Sequence, residues 1–439
     1  PAKATIAAKA IETVRAALPV AAKSGLELNF RPDPSLWDGR FANNGWLQEC
    51  PRPVTKLTWD NALLISPALA QREKLQSGDM VEFSVHGGVA LAPVLIVPGQ
   101  AENSVTLHLG YGRVRCGRAG EGVGVNAYPL RSLEEPWIAK GLSLKKTGLR
   151  HLLATTQTHH DLGRADREIF REGTLKEYQA SPDFVRNLVT DVAQSTTLYN
   201  QGEFVYDGYK WAMSIDLTTC IGCNACLLAC EVENNSPVVG KDQISRHRDM
   251  FWIRIDTYYE GSLDNPSFSH MPVPCMQCEH APCELVCPVE ATLHDHEGLN
   301  VQVYNRCVGT RFCSNNCPYK VRRFNFLGYA KYHEPNLKPM YNPEVTVRWR
   351  GVMEKCTYCI QRIAHGRITA EKENRRIRDG EIVTACQQAC PADAIVFGDM
   401  NDPNSRIARL KRHPLDYSML GQLNTRPRTT YLAKLRNTT

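Results

Sequence analysis

The chain has 439 residues, a formal net charge of +6 and 17 cysteines, with 22% charged and 43% hydrophobic residues. Those proportions describe a globular chain of two or three domains and exclude a disordered one. The longest apolar run, Val89–Gly99, is far short of the ~20 residues that a spanning helix needs, so the chain is not expected to cross a membrane by itself. No export leader is legible at Pro1, as in a processed chain or the downstream part of a longer one.

In chain order, residues 2–18 are rich in alanine and predict a helix closed by Pro19. Residues 31–53 are dense in Pro, Gly and Asn and predict loop. From Leu57 to Arg113 four short β-type runs follow, LTWDNALLISP, GDMVEFSVHGG, VALAPVLIVPG and NSVTLHLGYGR, separated by turn residues. Their spacing predicts a compact β-barrel. Residues 117–126 are glycine-rich but lack the Lys and Ser/Thr of a phosphate loop. Residues 131–208 are polar with weak helical patches such as ADREIFREGTLKEY, and predict an extended connector. A second domain begins near Tyr209 and runs to about residue 400, leaving 401–439 as a basic tail expected to pack on partners.

Fifteen of the seventeen cysteines lie between Cys220 and Cys390. A disulfide framework belongs to small secreted domains, not to one stretch of a large chain. The first group, CIGCNACLLAC, places Cys220, Cys223, Cys226 and Cys230 at the bacterial ferredoxin spacing C-x2-C-x2-C-x3-C. The second group is Cys275, Cys278, Cys283 and Cys287, followed by Pro288. The third is Cys307, Cys313 and Cys317, followed by Pro318. The fourth is split into Cys356, Cys359, Cys386 and Cys390, followed by Pro391. Three thiolates on one tight loop grip three irons of a cube, and the fourth cysteine reaches the other cluster of a pair. Four groups therefore imply four clusters.

The third group has Thr310 where the first has Cys223, so 15 ligands stand where 4 × 4 = 16 are expected. The simplest reading is three 4Fe–4S clusters and one 3Fe–4S cluster. A fourth iron on a non-cysteine ligand, or a labile iron, is the alternative. Zinc is the rival metal, but zinc sites usually pair two C-x2-C units across a longer loop. Cys50 and Cys116 are expected as small buried residues. His159–His160 and His294/His296 are weak metal candidates, more often surface or capping residues.

Residues 211–400 closely resemble the four-cluster electron-transfer subunit of the molybdenum oxidoreductase superfamily, through IDLTTCIGCNACLLACEVENN, CPYKVRRFNF and VRWRGVMEKCTYCIQRI. Residues 1–130 resemble the C-terminal dinucleotide-binding barrel of molybdopterin oxidoreductases, through WDGRFANNGWLQECP and TKLTWDNALLISP. A barrel joined to a four-cluster domain resembles the fused iron–sulfur subunit of Alternative Complex III, a quinol:electron-acceptor oxidoreductase. The resemblance implies an α+β/β multidomain fold: a molybdopterin-dinucleotide-binding-like barrel, then a double bis-cluster ferredoxin-like domain. It also implies the cluster pairing. Cys220, Cys223 and Cys226 would share a 4Fe–4S cluster with Cys390. Cys230 would join Cys356, Cys359 and Cys386, and Cys275, Cys278 and Cys283 would join Cys317. Cys287, Cys307 and Cys313 would hold the 3Fe–4S cluster, the one nearest the quinol site.

The expected work is one-electron relay, with no acid–base or nucleophilic site in this chain, no molybdopterin and no nucleic acid. The partners implied are a quinol-binding integral membrane subunit, haem c subunits and other subunits of the complex. The implied place is peripheral, on the periplasmic face of the bacterial inner membrane. The alternative is the electron-transfer subunit of a molybdopterin reductase of the DMSO or polysulfide type. A zinc-rich nucleic-acid binder is a third reading.

Residues 301–439 carry 24 Lys and Arg against 11 Asp and Glu, a net of +13, which leaves −7 for the rest (6 − 13). Arg322, Arg323, Arg348, Arg350 and Arg362 are expected either to offset buried cluster charge or to face the membrane subunit, with ordinary solvated charge as the alternative. Fifteen ligands leave little room for a conventional core, so cluster binding is expected to supply much of this domain's folding energy.

Overall fold

The computed structural model describes residues 8–17, 25–162, 169–187, 206–331 and 333–437. The helix expected over 2–18 spans Ala8–Ala17; its predicted flanks lie outside the described residues.

The four β-type runs form strands of a closed six-stranded barrel, and two further strands complete it. Around the barrel the order is Leu26–Arg31, Ser104–His108, Leu63–Ile65, Gly88–Ile96, Asp79–Val85 and Ile138–Arg150, with the last pairing back to the first. Inward positions alternate, as a half-buried strand requires. Along Asp79–Val85 the buried residues are Asp79, Val81, Phe83 and Val85, and the apolar ones meet Leu28, Phe30, Ile65, Val94 and Leu107 in one core. Closure leaves no free sheet edge.

The 13-residue strand Ile138–Arg150 lies where polar connector was expected. Its outer positions carry Lys140, Lys145, Lys146 and Arg150, while Ala139 and Leu142 point inward. So few apolar residues hide the period of two. Within ADREIFREGTLKEY, Glu172–Thr174 is a strand and Leu175–Ala180 a short helix, opened by a Thr174/Glu177 capping box. Residues 165–168 of that stretch lie outside the described residues.

The cysteine-rich half is built on a four-stranded sheet ordered Ile395–Asp399, Trp211–Asp216, Thr429–Leu432 and Asp416–Tyr417. The stretch from 401 was expected as a tail on partners. Through residue 437 it folds into this module instead: Thr429–Leu432 pairs in parallel with Trp211–Asp216, and Lys434–Arg436 with Glu172–Thr174. The missed signal is the alternating TTYLAKLR, overshadowed by the arginines before it.

The module also has a larger apolar core than expected. Trp211, Met213, Ile215, Phe397, Tyr358 and Tyr431 pack in one cluster together with eight of the buried or part-buried thiols, among them Cys226, Cys230 and Cys275. Tyr209, Trp211 and Phe397 stack in series with ring centroids 5.1 and 5.4 Å apart. Large-to-small changes in such cores cost about 3–5 kcal/mol for Phe. Phe83→Ala, 1% exposed in the barrel, is expected to lower the unfolding free energy by that order, read as a lower midpoint in thermal or denaturant scans. The visible absorbance of the cysteine-rich half is expected to persist.

Candidate metal centre

Each cysteine loop uses residues in the left-handed conformation to turn the backbone around a central volume. In the first loop these are Gly222 and Asn224, at φ +66 each, followed by the helix Ala225–Glu233. The third loop repeats this with Gly309 (φ +75) and Arg311 (φ +64) before the helix Phe312–Asn316. Thr310 therefore occupies the geometric place of Cys223, and it is exposed. Gly222 is needed for space as well as conformation, because a Cβ there would overlap the His270 ring. Gln277, and then Tyr358 with Cys359, supply the left-handed turns of the second and fourth loops.

The Cys-Pro endings share a second device. The third residue after the cysteine is left-handed in each case: Glu290, Lys320 and Asp393. The next backbone N–H then turns back onto the sulfur. Ala291 N donates to Cys287 Sγ at 3.1 Å and Ala394 N to Cys390 Sγ at 3.3 Å. Val321 N likewise hydrogen-bonds Cys317. Cys230 has no proline after it, and the Asn234 side chain takes over, its Nδ2 donating to Cys230 Sγ at 3.5 Å. Such donors favour thiolate over thiol and stabilise a charged cluster.

The folded chain gathers the thiols into sets. Cys226 is enclosed within Coulombic range of Cys220, Cys223 and Cys390, and these four line one small cavity. Cys230 has Cys356, Cys359 and Cys386 around it, and Cys278 has Cys275, Cys283 and Cys317. Cys313 lies one helix away, on Phe312–Asn316, which packs against the Pro282–Leu285 helix. The sets adjoin in a line. Cys226 of the first is in range of Cys386 of the second, and Cys356 of the second is in range of Cys275 of the third. Cys283 of the third shares the Arg322 guanidinium with Cys313.

Burial dominates the thiol chemistry. It pushes Cys356, Cys359 and Cys386 up to about 12 and Cys283 to about 11, and raises Cys226, Cys230 and Cys278 well above the ordinary thiol value. Metal binding must therefore displace protons, and soft sulfur sets of this kind select iron–sulfur clusters or zinc. Among the described residues no three His, Cys, Asp or Glu side chains are grouped so as to hold a single metal ion. A cubane sets each thiolate on its own iron, a wider arrangement than sulfurs ~2.3 Å from one zinc.

The arginines divide. Arg322 is buried. The surrounding thiols of Cys283, Cys313, Cys275 and Cys317 outweigh its burial and hold its charge firmly, while its guanidinium donates to Thr292, Asn300 and Gln302. Arg362 pairs with Glu233 at 2.7 Å and lies in range of Cys359 and Cys386. Arg348 forms a fully buried pair with Glu354 at 2.7 Å, and Arg323 pairs with Asp249 at 3.1 Å. Arg350 is exposed. Sequence reasoning passed over Lys355. It is fully buried and its Nζ donates to the Cys356 carbonyl at 2.8 Å, and its place next to a C-x2-C pair was the available signal. It also passed over Gln277, which ties the second and fourth groups by donating to the Cys356 carbonyl at 2.9 Å.

The histidine candidates serve structural contacts. His160 hydrogen-bonds the Thr257 carbonyl at 2.9 Å and stacks on Tyr259. His294 bonds Glu284 at 2.8 Å. His159 is exposed, and exposed His296 lies 3.7 Å from Glu297. Cys50 is buried as expected, and Cys116 half-buried.

Two families, both described as a 4Fe-4S dicluster domain, match residues 267–330 and 306–394. The chain is 39% identical over 230 residues to the menaquinone reductase iron-sulfur cluster-binding subunit of Nitratidesulfovibrio vulgaris, covering 51% of this chain and 89% of that protein. It is 33% identical to a putative dimethyl sulfoxide reductase iron-sulfur subunit from Halobacterium salinarum, over 51% of this chain and 79% of that one. It is 32% identical to the Hdr-like menaquinol oxidoreductase iron-sulfur subunit 1 of Archaeoglobus fulgidus, over 56% and 92%.

Gly222→Ala is expected to remove the iron held at the first thiol set, read as a fall of about four iron per chain. Gly380→Ala, equally left-handed but with open space around it, is expected to keep a full complement.

Proposed function

Because the chain belongs to the family of iron–sulfur cluster-binding subunits of oxidoreductase complexes, we propose that it is a one-electron relay between a quinol site in a membrane subunit and a downstream acceptor. The observation that carries this reading is the line of three adjoining four-thiol sets, with Cys313 next to the third across Arg322. Three sets have four sulfurs each and hold 4Fe–4S clusters: Cys220, Cys223, Cys226 with Cys390; Cys230, Cys356, Cys359 with Cys386; and Cys275, Cys278, Cys283 with Cys317. Cys287, Cys307 and Cys313, beside Thr310, hold a 3Fe–4S cluster. The clusters supply the redox chemistry. The chain's residues orient them, donate hydrogen bonds to their sulfurs and offset their charge, which are the levers that set potential.

The two ends of the line differ. The Thr310 end is bordered by the exposed apolar side chains Val308 and Phe312, 65% and 56% exposed. A basic and aromatic cleft adjoins it, lined by Arg248, Arg311, Arg323, Phe324 and Phe326. We assign this end to the quinol-binding membrane subunit. The other end lies under the barrel module and delivers electrons to haem c subunits and a periplasmic acceptor, as in Alternative Complex III. None of the described helices is long and apolar enough to cross a membrane. The proposal sets the chain as a peripheral subunit on the periplasmic face. The barrel, read as molybdopterin-dinucleotide-binding-like, carries no cofactor in this proposal. The relative named as a dimethyl sulfoxide reductase subunit supports a second reading, the electron-transfer subunit of a molybdopterin reductase.

Low-temperature EPR with iron and molybdenum quantified on the same sample tests the proposal. About fifteen iron per chain (3 × 4 + 3), no molybdenum and an oxidised-state three-iron signal that reduction removes are expected. Molybdenum in the complex would favour the second reading, and zinc in place of iron would overturn both. Thr310→Cys is expected to abolish the three-iron signal and bring the count to about sixteen.

A further inference from the structure

The loop 50–57 of the N-terminal half lies across the first cysteine loop. Asn224 Nδ2 donates to the Pro51 carbonyl at 2.5 Å, Thr257 Oγ1 to that of Pro53 at 3.0 Å and the Tyr259 hydroxyl to that of Val54 at 3.1 Å. The loop is closed on itself by backbone bonds from Arg52 N to Leu57 O and from Lys56 N to Arg52 O, each 3.0 Å. Lys56, at its end, is left-handed at φ +57 and 0% exposed. Its Nζ is buried with no hydrogen-bond partner among the described residues.

A buried ammonium without a partner is costly, and the usual solution is a nearby negative charge. Burial pushes Lys56 down to about 8, against the opposing pull of Asp256, Cys50, Cys220 and Cys226. Asp256 is already held by Arg254 at 2.9 Å. Cys50 is a buried thiol outside the cysteine groups, with no metal to displace its proton. Cys220 and Cys226 remain, both in the first thiol set. Lys434 is another cation in range of Cys220, but its Nζ donates to the Phe268 carbonyl at 3.2 Å.

We propose that Lys56 is the charge partner of the cluster on Cys220, Cys223, Cys226 and Cys390, by which the barrel module sets that cluster's reduction potential. The proposal rests on the cluster assignment above. An oxidised four-thiolate cube carries about −2 and gains one more negative charge on reduction. A buried cation stabilises the reduced form more than the oxidised one, because Coulomb attraction scales with charge and is weakly screened in the interior. Lys56 thus raises the potential at the end of the line from which electrons leave.

The test is an EPR-monitored redox titration of the full-length, cluster-loaded chain and of its K56M, K56Q and K56R variants. K56M and K56Q are expected to lower the reduced-to-oxidised ratio of the first cluster about tenfold at fixed potential, ~59 mV for one electron, with the other clusters unmoved. K56R, which keeps the charge, is expected to stay near wild type. Loss of the first cluster in both neutral variants but not in K56R would equally support the charge role. Unchanged potentials in K56M and K56Q, or the same change in all three variants, would overturn it while leaving the relay intact. A wild-type chain without cluster signals would overturn both.

Discussion

Fifteen sulfurs set side by side, most of them out of water, impose the terms on the cysteine-rich half. Each thiolate brought into the interior repels its neighbours and loses hydration, and the effect grows with every set added to the line. The fold answers with fixed dipoles and cations. Left-handed residues after the Cys-Pro endings aim backbone N–H groups at sulfur, Asn234 does the same for Cys230, and Arg322 stands among Cys283, Cys313, Cys275 and Cys317. The C-terminal excess of positive charge is partly this compensation and partly ordinary pairing, as the buried Arg348–Glu354 pair shows.

The two halves are not merely tethered. Glu49, at the end of the Gly45–Glu49 helix, is fully buried and accepts from the backbone N–H groups of Val239 and Gly240 in the cysteine-rich half. Burial pushes it up to about 7. Lys241 pairs with Asp60 at 2.6 Å, and Ala154–Thr155, paired with Leu57–Thr58, packs against the Lys241–Ser245 helix. A joint this dry, with Glu49 and Asp60 each bonded across it, behaves as part of an interior and not as a transient contact.

The chemistry of the site was legible because metal-binding loops are local. Spacing within CIGCNACLLAC and CVGTRFCSNNCP places thiols, the glycine and the Thr310 substitution without reference to the rest of the chain. The four runs between Leu57 and Arg113 were legible as barrel strands for the same reason: the period of two is a short-range signal. What escaped depends on distant pairing. Ile138–Arg150 is a strand because Leu26–Arg31 and Asp79–Val85 flank it, while its own composition is that of a polar linker. Thr429–Leu432 and Lys434–Arg436 find partners more than 200 residues upstream. Lys56 has no motif around it, and only the folded loop brings it to Cys220.

That long-range sheet has a consequence for biogenesis. Trp211–Asp216, which leads into the first cysteine loop, is bounded on both sides by strands made much later, Ile395–Asp399 and Thr429–Leu432, and Cys390 joins Cys220, Cys223 and Cys226 only from that late part of the chain. Contacts so far apart in sequence form slowly and only after the intervening chain exists. The first cysteines of the four groups to be synthesised are therefore among the last to be enclosed. A first thiol set that includes Cys390 and sits beside the last strand can close only after nearly the whole chain has been made.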